Sequence, residues 1–259
     1  MSMLLSVVAQ SRRRGFDPDA ADYFARIVTA GSTISETNKT AVNAFIVGCK
    51  ADGIWSAIKA SCILAGADTL AGALVPLVGA APTNVGGLFV AGDYSRTMGL
   101  IGNGTTKHLN SNRANNADPQ NNQHLAVHLT SADPRTENYF LIGAGAATTG
   151  ASHLQNLNGN TQAARSQSTL RQALTSVDTT TKTGFMGISR ASSVNYDWRL
   201  TGLNGTASST SQTPLSSNIS VFGESSAPTQ ARISYYSIGE SLDLALLDAR
   251  LTTLMASLT

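Results

Sequence analysis

Charge is what this chain has least of. Only 13% of its 259 residues are Asp, Glu, Lys or Arg, against about 25% in an average globular domain. The 18 basic and 16 acidic residues leave a net charge of +2. That balance supplies no basic field of the kind that gathers nucleic acid. Glutamate is scarcer still, with Glu36, Glu137, Glu224 and Glu240 the whole supply. Hydrolysis of a glycosidic bond needs two carboxyl groups about 5 to 9.5 Å apart, and no expected strand carries acids at i and i+2 or i+4. Two cysteines, Cys49 and Cys62, are too few for a disulfide framework, and no second Cys or His pair accompanies them to complete a zinc site. No apolar run approaches the roughly 18 to 20 residues of a membrane span. The apolar stretch at residues 1–10 precedes Arg12, Arg13 and Arg14, whereas a secretory signal has its basic residues first.

What the chain does have is 42% hydrophobic residues, 23 glycines and abundant Ser, Thr and Asn. A charge-poor sequence with this much aliphatic content collapses into a globule, and its length allows one large domain or one domain with a small appendage. Residues 17–79 carry helical punctuation. Asp17 and Pro18 form an N-cap and first turn, with Gly31 closing the helix. Thr33 and Glu36 have capping-box spacing, followed by Val42, Phe45, Ile46 and Cys49 at helical intervals to Gly53. Ile54, Ile58 and Cys62 share one face of an expected third helix that ends at Gly66. The expected unit is a small three-helix module, with Cys49 and Cys62 packed as buried free thiols.

Residues 80–240 read differently, as short β-branched and aliphatic runs bounded every eight to twelve positions by Gly, Asn, Ser or Pro. That pattern predicts an antiparallel, mainly β sandwich. The expected strands are 87–91, 124–130, 139–143, 168–174, 184–189, 194–200, 218–223 and 231–237. Leu125, Val127 and Leu129 alternate onto one face of the second of these. Residues 110–123 read as a long Asn-rich loop, and its Asn110, Asn112, Arg113, Asn115, Asn116, Asp118, Asn121 and Asn122 are candidates for surface contact. Oxygens of Asn115, Asn116, Asp118, Asn121 and Asn122 also suit calcium, although nothing fixes their spacing. Residues 241–259 predict an amphipathic helix capped by Ser241. Its Leu244, Leu247, Leu251, Leu254 and Leu258 recur at 3-4-3-4 spacing, either packing on their own chain or forming the seam of a homo-oligomer.

Catalytic constellations are missing. Asp197 stands alone in its strand, near Arg199. No Gly-x-Ser-x-Gly elbow occurs, and His108, His124, His128 and His153 lack the Glu of a zincin motif. The Gly-rich stretches 99–104 and 143–150 neither open a helix in a βαβ unit nor end in Gly-Lys-Ser/Thr, so they read as turns. An apolar, Arg-bearing arm over residues 1–16 is a candidate for attachment to a larger particle, through Met3, Leu4, Leu5, Val7, Val8, Arg12, Arg13 and Arg14.

Two stretches carry a resemblance. The ending ARISYYSIGESLDLALLDARLTTLM resembles the close of laminin-G and concanavalin A-like lectin sandwiches. NAFIVGCKADGIWSAIKASCILAG, with NVGGLFVAGDYSRTMGLIGNGTTKHLNSNRANNADPQNNQHLAV after it, resembles a family of bacteriophage virion structural proteins that join such a sandwich to a helical module. The resemblance implies a concanavalin A-like jelly-roll and a non-enzymatic role as a capsid decoration (cement) protein or a tail or fibre component. Other virion proteins would be its partners, the virion its location after synthesis in the host cytoplasm, and a trimer its symmetry by analogy. Host-surface glycans are possible ligands, and a free or cell-surface carbohydrate-binding module is the alternative. No cofactor is implied. The two-Glu catalytic strand of related glucanases is absent, which removes hydrolysis from what the resemblance implies.

Overall fold

The computed structural model describes residues 15–146, 148–158, 161–175, 183–223 and 227–259. Asp17 caps α1 (Pro18–Thr29), its carboxylate accepting the Asp19 N–H at 3.0 Å, and Gly31 follows in the left-handed region as the sequence predicts. Helix α2 (Glu36–Ala51) is capped by Ser35 rather than Thr33, with the Ser35 hydroxyl accepting the Asn38 N–H at 3.2 Å. Glu36 therefore occupies the first helical position, too early to reach back as a capping-box acid. It pairs with Lys39 instead, and Thr33 donates to Asp68.

The expected third helix is a strand. After one 3₁₀ turn at Trp55–Ala57, β1 (Ile58–Ile63) pairs antiparallel with β16 (Arg232–Gly239). Its Ala60 and Cys62 face one core and its Ile58 and Ile63 another. A strand buried on both faces loses the alternation that marks most strands, and a short apolar run then fits helical spacing equally well. A four-residue helix, α3 (Leu70–Ala73), follows, then β2 (Pro76–Val78), which adds to β1. Residues 58–78 thus belong to the sandwich, and the expected boundary at residue 79 cuts through one body.

The remaining strands are β3 (Thr83–Asn84), β4 (Tyr94–Ser95), β5 (Gly99–Ile101), β6 (Leu109–Ala114), β7 (Gln123–Ser131), β8 (Tyr139–Ala144), β9 (Ala151–Leu157), β10 (Thr161–Ser168), β11 (Gln172–Thr175), β12 (Gly184–Arg190), β13 (Asn195–Leu200), β14 (Leu203–Ser208) and β15 (Asn218–Val221). Among the described residues they form a nine-stranded sheet, ordered β14-β13-β12-β7-β16-β1-β2 with β5 and β4 beside β16, and a seven-stranded sheet, β11-β10-β9-β8-β15-β6-β3. The strand pairs of both sheets are antiparallel, as expected. The strand predicted at 87–91 is absent: Gly86 and Gly87 both take positive φ within a 3₁₀ turn at Val85–Gly87. The run 168–174 divides at a turn between β10 and β11.

Between the sheets lies the main core, with Leu125, Val127 and Leu129 of β7 facing Ile142, Leu154, Ile219 and Val221. A second core covers the other face of the first sheet. There Ala126, Phe185 and Tyr235 meet Tyr23 and Ile27 of α1, Phe45 and Ile46 of α2, and the leucines of α4 (Leu244–Ser257). The fold is therefore a jelly-roll, lectin-like sandwich with a helical layer on one sheet. Asp243, not Ser241, caps α4. Leu244, Leu247, Leu251, Leu254 and Leu258 are all buried within the chain, so the stripe expected as an oligomer seam is filled by its own helices and sheet. Leu251→Ala is expected to lower unfolding stability by about 2 to 5 kcal/mol in a denaturant titration. Its mass by analytical ultracentrifugation should equal that of the unmodified chain.

Candidate functional site

The hairpin of β13 and β14 displays two chemistries. Tyr196 and Leu200 point into the main core, and Trp198 packs against that core from the same side. Trp198 lies opposite Gly205, where an added Cβ would stand 2.6 Å from the indole ring, so any larger residue there would force the ring to move. The alternate positions face outward. Asp197 is paired in register with Thr206, and Arg199 with Asn204. The Thr206 hydroxyl donates to Asp197 at 2.7 Å. Arg199 Nε donates to Asp248 of α4 at 2.7 Å, so the acid beside Arg199 in sequence is not its partner. Asp248 also accepts from Thr252 at 3.3 Å.

The start of α4 forms the facing wall. Asp243 accepts the N–H groups of Ala245 and Leu246 at 2.8 and 3.2 Å. The approach to the helix is pinned: Asn122 accepts from the backbone and hydroxyl of Ser241 at 2.8 and 2.7 Å, and the Ser189 hydroxyl accepts the Leu242 N–H at 3.0 Å. Between hairpin and helix lies an open cleft of about 480 Å³, lined by Asp197, Arg199, Asn204, Thr206, Asp243 and Leu244 among others. Two aspartates face it, while the Arg199 charge is matched by Asp248. Hydroxyl, amide and carboxylate groups on two rigid strands can exchange paired hydrogen bonds with a polyhydroxylated ligand. Sequence reading found Asp197 but not the cleft, because strand pairing and the docking of α4 create it.

The Asn-rich stretch is part strand and part turn, with Asn112 and Asn116 exposed and Asn115 and Asp118 buried. Asn110, Asn112 and Arg113 lie in β6, and Asn112 donates to the Ala81 carbonyl and the Thr83 hydroxyl at 2.8 and 2.9 Å. Asn115 is buried, donating to the Gly150 carbonyl at 2.9 Å and accepting from Gln123 at 3.0 Å. Buried Asp118 pairs with Arg113. The Asn121 N–H donates to Gln167 at 2.9 Å. Asn116 is exposed. Asn115 and Asp118 serve as internal struts, as buried polar groups require partners. The carboxylate best placed to start a calcium site, Asp118, is occupied by a guanidinium. Among the described residues no three His, Cys, Asp or Glu side chains converge on one point. The arm candidates Met3, Leu4, Leu5, Val7, Val8, Arg12, Arg13 and Arg14 lie outside the described residues, as does Glu224.

Three histidines are interior. Nδ1–H of His124 donates to the Glu240 carbonyl and Nε2 accepts from the Ser237 hydroxyl, both at 2.6 Å. His128 meets the Ser234 hydroxyl at 2.8 Å, and His153 is 1% exposed. Burial pushes His124 and His128 down to about 4. His108 contacts the Thr106 carbonyl at 3.0 Å. Burial raises the Cys49 and Cys62 thiols to about 12, which leaves both as packing groups.

No protein-family model matches the chain, and no curated protein matches it. Solved structures do. Trypanosoma rangeli sialidase in complex with sialic acid shares 11% identity at a TM-score of 0.51, over 77% of this chain and 33% of that one. The same protein in complex with a 2,3-difluoro-KDN compound gives 12% and 0.52, over 78% and 33%. The botulinum neurotoxin serotype D binding domain gives 13% and 0.49, over 76% and 50%. The chain thus spans a third to a half of these structures, and at such identities the likeness is one of fold.

The histidines make stability depend on pH. An unfolded imidazole binds its proton near pH 6.5 and these folded ones only near 4, so the unfolded state holds more protons between those values. Unfolding free energy is expected to be level in this respect above about pH 7. It should fall by about 1.4 kcal/mol per pH unit for each histidine from pH 6.5 to 4. Denaturant titrations across that range check this, and His124→Gln should flatten the slope.

Proposed function

We propose that this chain is a lectin-like binding module that takes a neutral glycan into the cleft between the β13–β14 hairpin and α4. The observation that carries the reading is the outward row of Asp197, Asn204 and Thr206 facing the Asp243 end of α4. Pyranose hydroxyls present donors and acceptors in adjacent pairs, and carboxylate, amide and hydroxyl groups held on strands meet them without first being ordered. A third of the chain of Trypanosoma rangeli sialidase, which was solved in complex with sialic acid, has a similar fold, and a sugar is the ligand class taken from it. The charge of the cleft argues for a different sugar. Asp197 and Asp243 have no cationic counterpart there once Arg199 is paired with Asp248, so a carboxylated or sulfated glycan is repelled.

Binding without hydrolysis is the reading taken from the sequence, in which no strand carries a pair of acids at i and i+2 or i+4. Asp197 Oδ1 holds the Thr206 hydroxyl and Asp243 Oδ1 holds two backbone N–H groups, which fixes both carboxylates and leaves the second oxygen of each to accept from a sugar hydroxyl. The setting proposed for the module is a virion, attached through residues 1–16. That part rests on the sequence resemblance to bacteriophage structural proteins, and antibody labelling of purified particles checks it.

On an array of neutral and acidic glycans, signal is expected from neutral members only. Asp197→Ala and Asn204→Ala should each weaken binding at least tenfold, which is about 1.4 kcal/mol. Because both positions are exposed, stability should change by less than about 1 kcal/mol. Binding that survives both substitutions would place the ligand elsewhere. Sugar release abolished by Asp197→Asn would make the module an enzyme.

A further inference from the structure

We infer that the outward face of the second sheet holds one halide-sized anion between Arg165 and His153. The two residues stand directly opposite each other on β10 and β9. Their neighbours Ala164 and Leu154 point into the main core, which turns Arg165 and His153 to the other side of the sheet. Cross-strand partners of this kind stand about 5 Å apart at Cβ, which brings both side chains to one place on the sheet.

Both side chains are buried, at 7% and 1% exposure, and both have unmet donors. Arg165 Nη1 donates to the Thr148 carbonyl at 3.1 Å, but Nε has no acceptor. His153 has no partner on either ring nitrogen, and Phe140 meets its ring edge-on at 5.0 Å. The charge acting on this pair from β11's approach is Arg171, of the same sign as Arg165. Gln155, two residues along β9, has an unpartnered amide oxygen, and a half-turn of that amide would offer an N–H instead.

Arg190 supplies the contrast within the same protein. It is 0% exposed, yet its guanidinium donates to the carbonyls of Ser166, Ser192, Asn195 and Ser209 and lies 5.2 Å from the Tyr196 ring centroid. A buried guanidinium satisfied in that way needs no counter-ion. Arg165 has one carbonyl, so an anion that accepts from its Nε–H and from a His153 N–H meets both donors and offsets the charge. A cation at this point would face two arginines. Burial together with Arg165 and Arg171 pushes His153 down to about 3, so in the absence of the ion its ring is a neutral donor.

The test is thermal unfolding of the full chain at fixed ionic strength, with sodium gluconate replaced stepwise by sodium chloride. The expected result is a saturable rise in Tm of about 5 °C at a hundredfold excess over Kd, abolished in Arg165→Met. If that variant fails to fold, crystals of the unmodified chain in sodium bromide decide: an anomalous peak between Arg165 and His153 upholds the site. Indifference of Tm to chloride, or a water alone at that position, overturns it. Neither outcome depends on whether the cleft at β13–β14 binds sugar.

Discussion

The structure depends on burying both faces of its first sheet. In β16, Ile233, Tyr236 and Ile238 fill the space between the sheets while Tyr235 packs against Phe45 of α2, ring centroids 5.9 Å apart. In β7, Leu125 and Val127 face inward and Ala126 faces the helices. Removing the helical layer would expose that second apolar face and wet His124 and His128, which lie on it and are neutral because it is dry. Hydrophobic burial of this kind has no direction of its own. Direction comes from a few polar ties: Arg250 to Asp52 at 2.7 and 2.8 Å between α4 and the end of α2, and Arg199 to Asp248 between β13 and α4. The cleft is a by-product of that docking. Helix α4 is held over the sheet by leucines, its first turn overhangs the β13–β14 hairpin, and the space left beneath is lined by whatever those strands point outward.

The low charge takes on a different meaning in this setting. Hydroxyls and amides do more here than keep a charge-poor surface soluble. Gln123, Asn115, Ser152 and Gln167 form a connected chain of buried hydrogen bonds, with Ser152 donating to Gln123 at 2.6 Å and accepting the Gln167 N–H at 2.9 Å. Uncharged polar groups can be satisfied by one another at far lower desolvation cost than ions.

What was legible in the sequence follows from which interactions are local. Asp17 with Pro18, Gly31 and the alternation of Leu125, Val127 and Leu129 are short-range signals, and the structure places each as read. β1 failed because its two apolar faces are set by partners far away in sequence, β16 on one side and the helices beyond. β10, TQAARSQS, has little β-propensity and is a strand because β9 and β11 pair with it. Asn115 and Asp118 were read as surface groups because amides and carboxylates look the same on a surface loop as in a buried strut. At the candidate site, Asp197 was visible as a lone outward acid. Its companions Asn204, Thr206 and Asp243 were not, because a hairpin register and a helix cap unite them.

The most direct test of the account is to map where a neutral oligosaccharide touches the chain. In a titration followed by backbone amide NMR, perturbations should be confined to residues 197–199, 204–206 and 242–245, saturate with a single Kd, and vanish in Asn204→Ala. Perturbations centred on β6 or the turn after it, or none with any neutral or acidic glycan, would contradict the assignment of this cleft as the binding site.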